Sequence, residues 1–386
     1  MEKKQSDFII QLLLWGVFAA TNLFFVVKFV PRAGISPIWG GIAYSIFAVV
    51  WILFGYRLLP RLTENKCKYI GISLLVCICA AIILSLIVIP PLSVRVDRWS
   101  ATTYFLDALF QGEYPYAVHT HVSENNYSSP FPFWHYLNIP FWLSGDVGIG
   151  LIAFLVLTVV CIWSYSSSHK VVLMFLWLLV CSPAYWWEVA VRSDGLSNVL
   201  LVLSVILLLE RYSIRLDNHW GWVAVIAGCL AVTRLSAVIP VALYLFYPYL
   251  KCNRKIQLLF PVVVLGVVLL FFIPYIFWDT DNWIFFRRNP FMSQTSPGNM
   301  WILLIMVIAA ILIAGRKKTF EQYLSSTGLF MFCFMLFTQF GVIYMSAEPI
   351  TLFSPQCDIS YFTLSLPYCL LYLSLREIGK INRVII

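Results

Sequence analysis

WGWVAVIAGCLAVTRLSAVIPVALYLFYPY, residues 220–249, decides how this chain is threaded. A membrane helix needs about 20 mostly apolar residues. This run is too long for one ordinary span and too short for two full ones, and Thr233-Arg234 stands at its middle. Charge chooses between the two readings. If the run goes out and comes back as two short helices, with the N-terminus inside, the basic residues at 3–4, 57–68, 170, 211–215, 251–255, 316–318 and 376–383 all fall on the inner side. Lys28, Arg32, Arg95, Arg98, Arg192, Arg234, Arg287 and Arg288 remain outside. A single crossing would instead turn KCNRK, GRKK and the basic tail outward, against the positive-inside bias. The hairpin is the expected arrangement.

Composition sets the frame around it. The chain of 386 residues is 61% hydrophobic and 11% charged, with mean hydropathy +0.85. Soluble domains carry about 25% charge, so this chain has too few charged residues to cover a water-exposed surface. The expected class is an all-α integral membrane protein forming one polytopic domain over 1–386. Other candidate spans are 8–29, 37–59, 69–91, 147–167, 170–188, 195–213, 256–277, 299–315, 325–345 and 359–375. With the 220–249 hairpin they make about twelve membrane helices and put both termini in the cytoplasm. The basic start followed by an apolar run of span length reads as a retained first span, not a cleaved signal. The net charge of +8 suits anionic lipid or an anionic substrate and does not imply nucleic acid. Nearly all ten cysteines fall in spans or inner loops, so no disulfide framework is expected.

The acidic residues take the other side. Asp97, Asp107, Glu113, Glu124, Asp146, Glu188, Asp194, Asp279, Asp281, Glu348 and Asp358 all fall outside. They bring the large outer loop 92–135, the 188–194 corner, the Arg234 tip, the loop 278–298 and the turn 346–358 to one face. In the first of these, SVRVDRWSATTYFLDALFQG reads as a short amphipathic helix. Trp99, Thr103, Leu106 and Phe110 recur at helical spacing, and Gly112 suits a C-cap. Asp97 at its start is either an N-cap, its carboxylate meeting free backbone N–H groups, or a general base whose charged form Arg95 and Arg98 favour.

Asp97, the amphipathic run Phe105 to Leu109, Gly112, Pro115 and Tyr116 together resemble the first outer loop of GT-C-type glycosyltransferases. The likeness is to the bacterial polyprenyl-phosphate-sugar-dependent, mannosyltransferase-like branch. NNYSSPFPFWHYLNIPFW resembles that family's aromatic, Pro-rich return to the membrane. The segment 232–236 before Pro240, and Tyr361 with Leu366-Pro367, are similar to later family features. In the family the acidic loop usually follows the first span and here the third, so residues 8–59 read as a possible added N-terminal hairpin.

The resemblance implies transfer of a sugar from a polyprenyl-phosphate-linked donor to a hydroxyl of a glycan, lipid or protein on the outer face. It implies inversion at the anomeric carbon; no cofactor is expected, metal dependence stays open, and compact loops with no large soluble domain point to a bacterial inner membrane. The residues suit this chemistry. The leaving group is already a phosphate anion, so a carboxylate must accept the acceptor's proton while cations meet charge gathering on the phosphate. Asp97 is the first candidate for the base and Asp194 the second. Arg234, Arg287 and Arg288 are candidates for the phosphate, since guanidinium forks match its oxygens. An ionised Arg234 in an apolar run costs at least about 2.5 kcal/mol and marks either a site or a pair with Glu188 or Asp194. Arg287 and Arg288 suit lipid-headgroup anchoring equally.

Arg98, Tyr116, His119, His121, Glu188 and Arg192 complete the candidates for substrate contact. Glu188, Arg192 and Asp194 could equally form an ion-pair network at a helix corner, and Trp186 and Trp187 read as interface anchors. His119 and His121 alternate along an extended chain, but two imidazoles are too few for a zinc site. No P-loop, dinucleotide fingerprint or Ser/His/Asp order is present. The competing classes are a transporter or flippase of a lipid-linked glycan, which should show internal repeats and midplane charges, and a glycan polymerase or ligase, whose large outer loop tends to come late.

Overall fold

A computed structural model describes residues 2–295, 299–346, 349–354 and 357–384. Glu348, counted above among the outer acidic residues, lies outside the described residues, as do short parts of the 278–298 and 346–358 loops. The described residues are almost wholly helical, and their one β-bridge joins His119 to Tyr127.

The first three helices are α1 (Glu2–Phe29), α2 (Pro37–Leu58) and α3 (Glu64–Val88). The outer segment that follows holds α4 (Arg98–Gln111) and α5 (Pro132–Leu143). Next come α6 (Ile149–Ser166), α7 (His169–Val180), α8 (Pro183–Ala190) and α9 (Asp194–Arg211). The run at 220–249 lies in α10 (Leu216–Ala231) and α11 (Leu235–Lys251), and α12 (Arg254–Ile276) follows. Two short helices, α13 (Ile284–Arg287) and α14 (Pro290–Thr295), lead to α15 (Met300–Ala314), α16 (Phe320–Met345) and α17 (Leu366–Val384).

Local chemistry sets many of the starts. Thr63, Ser182, Ser193 and Asn253 accept backbone N–H groups at the starts of α3, α8, α9 and α12, and Thr319 with Gln322 forms a capping box on α16. Proline opens α2, α5 and α8, where its missing N–H costs nothing.

Among the described residues six helices are long and apolar enough to cross a membrane, or seven if the bent pair α7–α8 is one span. That is the pattern of an α-helical, multi-pass membrane protein. The sequence led us to expect about twelve. The difference arises because α10, α11 and α15 are short, α9 and α17 each carry more than two charged residues, and α7–α8 bends by 74°. The bend falls inside the expected span 170–188, at Cys181-Ser182-Pro183. Buried Asn22 of α1 satisfies it, its Oδ1 accepting from Ser182 Oγ at 2.6 Å and from Ala184 N at 3.2 Å. Tyr44 of α2 donates to Cys181 O at 3.2 Å. The N-terminal hairpin is therefore stitched into the body. Trp51 and Trp177 stack with ring centroids 4.1 Å apart and exchange indole N–H bonds with each other's carbonyls. Gly55 makes this possible, because a Cβ there would sit 2.7 Å from the Trp177 ring nitrogen.

Residues 220–249 do form two helices with a break between Ala231 and Leu235. Leu216 near the start of one and Leu245 near the end of the other share a buried cluster, so the pair doubles back. In α4 the face differs from the expected one. Arg98, Ala101, Thr102, Phe105 and Ala108 are buried along with Leu106, while Trp99 and Thr103 are half-buried and Phe110 is exposed. Helical spacing fixes a stripe, but in an apolar chain it does not say which stripe meets protein. Gly112 ends α4 as expected, at φ +76°.

Candidate functional site

Four separate stretches meet at the start of α4. Arg98, the first residue of α4, is buried; its Nη1 donates to Asp194 Oδ1 at 3.3 Å, and its Nη2 to Asp358 Oδ2 at 3.0 Å and Ser360 Oγ at 2.8 Å. Its guanidinium also lies 5.2 Å from the centre of the Tyr361 ring. Arg234 Nη1 pairs with the other oxygen of Asp194. One carboxylate thus bridges two buried guanidinium groups. Glu188 is 2% exposed, and its Oε1 makes no hydrogen bond among the described residues.

The backbone explains how Arg234 reaches this place. The break after α10 frees the carbonyls of Val232 and Thr233, and the returning outer segment takes them: Phe131 N donates to Thr233 O at 3.0 Å and Phe133 N to Val232 O at 3.2 Å. Gln294 bridges the same region, accepting from Leu235 N and donating to Ser129 O. Buried backbone groups are rarely left unpaired, so these bonds hold the tip of the hairpin against the loop that carries α4.

Asp97 is half-buried and does not cap α4 with its side chain. Its backbone carbonyl accepts from Ala101 N at 2.7 Å and Ser100 Oγ at 3.1 Å, while its carboxylate makes no hydrogen bond or ion pair among the described residues. It lies near enough to act on the charge of both Arg98 and Arg234. Of the two sequence readings, side-chain capping is therefore excluded. The charges reinforce one another unevenly. Burial alone would lower the Arg98 guanidinium, but Tyr361, Asp358, Glu188 and Asp97 outweigh it and hold it above its ordinary value. At the helix break, burial first and the Arg98 charge second pull Arg234 down to about 10. It stays charged at neutral pH, and Nε and Nη2 make no hydrogen bond within the described chain.

Other candidates fall elsewhere. Asp194 belongs to the cluster; it is 6% exposed and both its oxygens face arginine guanidinium groups. Arg192 is a staple: its Nε pairs with Asp146 at 2.8 Å and its Nη2 donates to Leu86 O and Ile89 O at the end of α3. Tyr116 is 1% exposed, donates to Pro130 O, and packs against Phe105 and Tyr275. His119 is exposed beside Tyr127. His121 turns inward, with Nδ1 2.6 Å from Ser100 Oγ and Nε2 3.0 Å from Val94 O. The two imidazoles diverge, and among the described residues no group of three or more His, Cys, Asp or Glu could hold a metal ion. Arg287 is exposed, and Arg288 stacks 4.1 Å over the Tyr127 ring; neither pairs with the cluster.

Arg192→Ala should be a stability variant. Removing one partner of a buried pair costs about 3–5 kcal/mol, so thermal unfolding in detergent should show a large loss. Wild-type stability would contradict the staple.

Asp358, Ser360 and Gln339 were missed as site residues. Asp358 was visible only as one more outer acid, and its partner Arg98 lies 260 positions away. Gln339 donates to Asp358 O, and its buried Oε1 has no partner among the described residues. A cavity of about 380 Å³ begins here. It runs between α11, α15 and α16, with Ile239, Met306, Ala310 and Phe334 on its walls and Arg234, Gln339 and Tyr361 at its polar end.

Comparisons of this chain with protein-family models, with curated proteins and with solved structures found no match.

Proposed function

We propose that this protein is a GT-C-type membrane glycosyltransferase, moving a sugar from a polyprenyl-phosphate-linked donor to a hydroxyl acceptor on the outer face, with inversion. The observation that carries the reading is the apolar groove ending on a buried guanidinium with free N–H groups. An isoprenoid chain fits such walls, and its phosphate would meet Nε and Nη2 of Arg234. Asp97 is the base: as the acceptor oxygen bonds to the anomeric carbon, its proton passes to the Asp97 carboxylate. The bond from that carbon to the phosphate oxygen breaks, and its electron pair stays on the phosphate facing Arg234. Arg98 and Asp194 hold the two halves in register.

In this reading α9, α10, α11, α15 and α17 complete a body of about twelve membrane helices with both termini cytoplasmic, in a bacterial inner membrane.

The test is to incubate the purified protein in lipid nanodiscs with a panel of polyprenyl-phosphate sugars and hydroxyl acceptors, and to search for new glycosides by mass spectrometry. Ala310→Trp, which fills the groove, should weaken donor use at least about tenfold, the equivalent of roughly two buried CH₂ groups. Transbilayer movement of a lipid-linked glycan without any glycoside formed would overturn the assignment.

A further inference from the structure

The far end of the bundle holds a second cavity that the transfer chemistry does not use. Its volume is about 520 Å³. α11 links the two: Leu235 lines the groove beside Arg234, and Lys251, about 25 Å along the helix, lines the second cavity. α16 does the same, with Gln339 at one end and Phe320 at the other. The cavities therefore open at opposite ends of the same helices.

The lining is strongly unbalanced. Arg215, Lys251, Arg316, Lys317 and Lys318 face Glu210 and Asp217. Among the described residues none of the five basic side chains joins an ion pair with either carboxylate, and the Lys318 Nζ is buried with no hydrogen-bond partner. Glu210 is already occupied by the Tyr244 hydroxyl at 2.9 Å. Three helices start here, α10, α12 and α16, with Leu216, Asn253 and Thr319 on the lining. Helix N-termini carry partial positive charge and favour anions. A buried ammonium without a partner is costly, and a phosphate oxygen would satisfy it.

We propose that this cavity is a binding site for a phosphate-bearing anion, seated on Lys318 with Arg316, Lys317, Lys251 and Arg215 around it. Two sources share this chemistry: the headgroup of an anionic phospholipid in the adjacent leaflet, and a free phosphate. The site is separate from the groove and independent of the transferase reading.

The test uses full-length protein in mixed micelles with phosphatidylglycerol and phosphatidylcholine of matched chains, followed by native mass spectrometry. The expected result is retention of phosphatidylglycerol at least about tenfold over phosphatidylcholine, and millimolar inorganic phosphate is then added to the retained complex. Displacement assigns the site to free phosphate, and resistance to it assigns the site to the lipid headgroup. Arg316→Gln/Lys317→Gln and Lys318→Gln should each remove most of the preference. Arg316 and Lys317 are exposed, so the first variant keeps the test open should Lys318→Gln not fold. Arg57→Gln/Arg61→Gln, outside the cavity, should leave the preference intact. No preference in the wild type, an unchanged one in the cavity variants, or an equal loss in the Arg57/Arg61 control would overturn the proposal.

Discussion

Asp97→Asn should reduce sugar transfer by about a hundred- to ten-thousandfold, the range that a positioned proton acceptor supplies, while leaving donor affinity and thermal stability near wild type. The separation follows from the geometry. The Asp97 backbone carbonyl, not its carboxylate, anchors α4, through Ala101 N and Ser100 Oγ, so the amide substitution keeps every bond that shapes the helix start. A variant retaining more than a third of the activity would move the base elsewhere. Asp358 would be the next residue to test, since its side chain is 49% exposed beside Arg98.

Arg234→Gln has the second-largest expected effect, and on a different quantity. Hydrogen bonds to charged groups contribute about 1.5–3 kcal/mol, so donor affinity should fall roughly 10- to 150-fold. Some stability should be lost with the buried Asp194 pair, less than for Arg192→Ala because Asp194 keeps Arg98 and the repulsion between the two guanidinium groups is relieved. Arg234→Lys should recover part of the affinity, as a point charge without the fork. Donor binding that does not change, together with a clear loss of stability, would make Arg234 a structural residue.

Several elements were readable because their cause is local. Thr233-Arg234 inside an apolar run signalled the break between α10 and α11, and Gly112 announced the end of α4 through a backbone angle that other residues rarely adopt. Ser182-Pro183 is a comparable punctuation mark, yet the surrounding apolar run hid it within one expected span. Partners were the illegible part. Arg192 read equally as a substrate contact or as part of a corner ion-pair network with Glu188 and Asp194, but its partners are Asp146 and the carbonyls of Leu86 and Ile89 at the end of α3. Tyr116 sat in a suggestive motif and proved to be core. The convergence of Arg98, Asp194, Arg234 and Asp358 joins stretches far apart in the chain, and spacing carries no information about such contacts.

The groove also dictates how kinetics should be measured. Val238 and Val307 on its walls are exposed on the apolar surface of the bundle, so under the proposed function a donor would reach Arg234 sideways, out of the lipid. Its governing concentration is then two-dimensional, a mole fraction in the bilayer or micelle. Adding inert detergent at constant bulk donor should slow the reaction by surface dilution, whereas a water-soluble acceptor should obey its ordinary molarity.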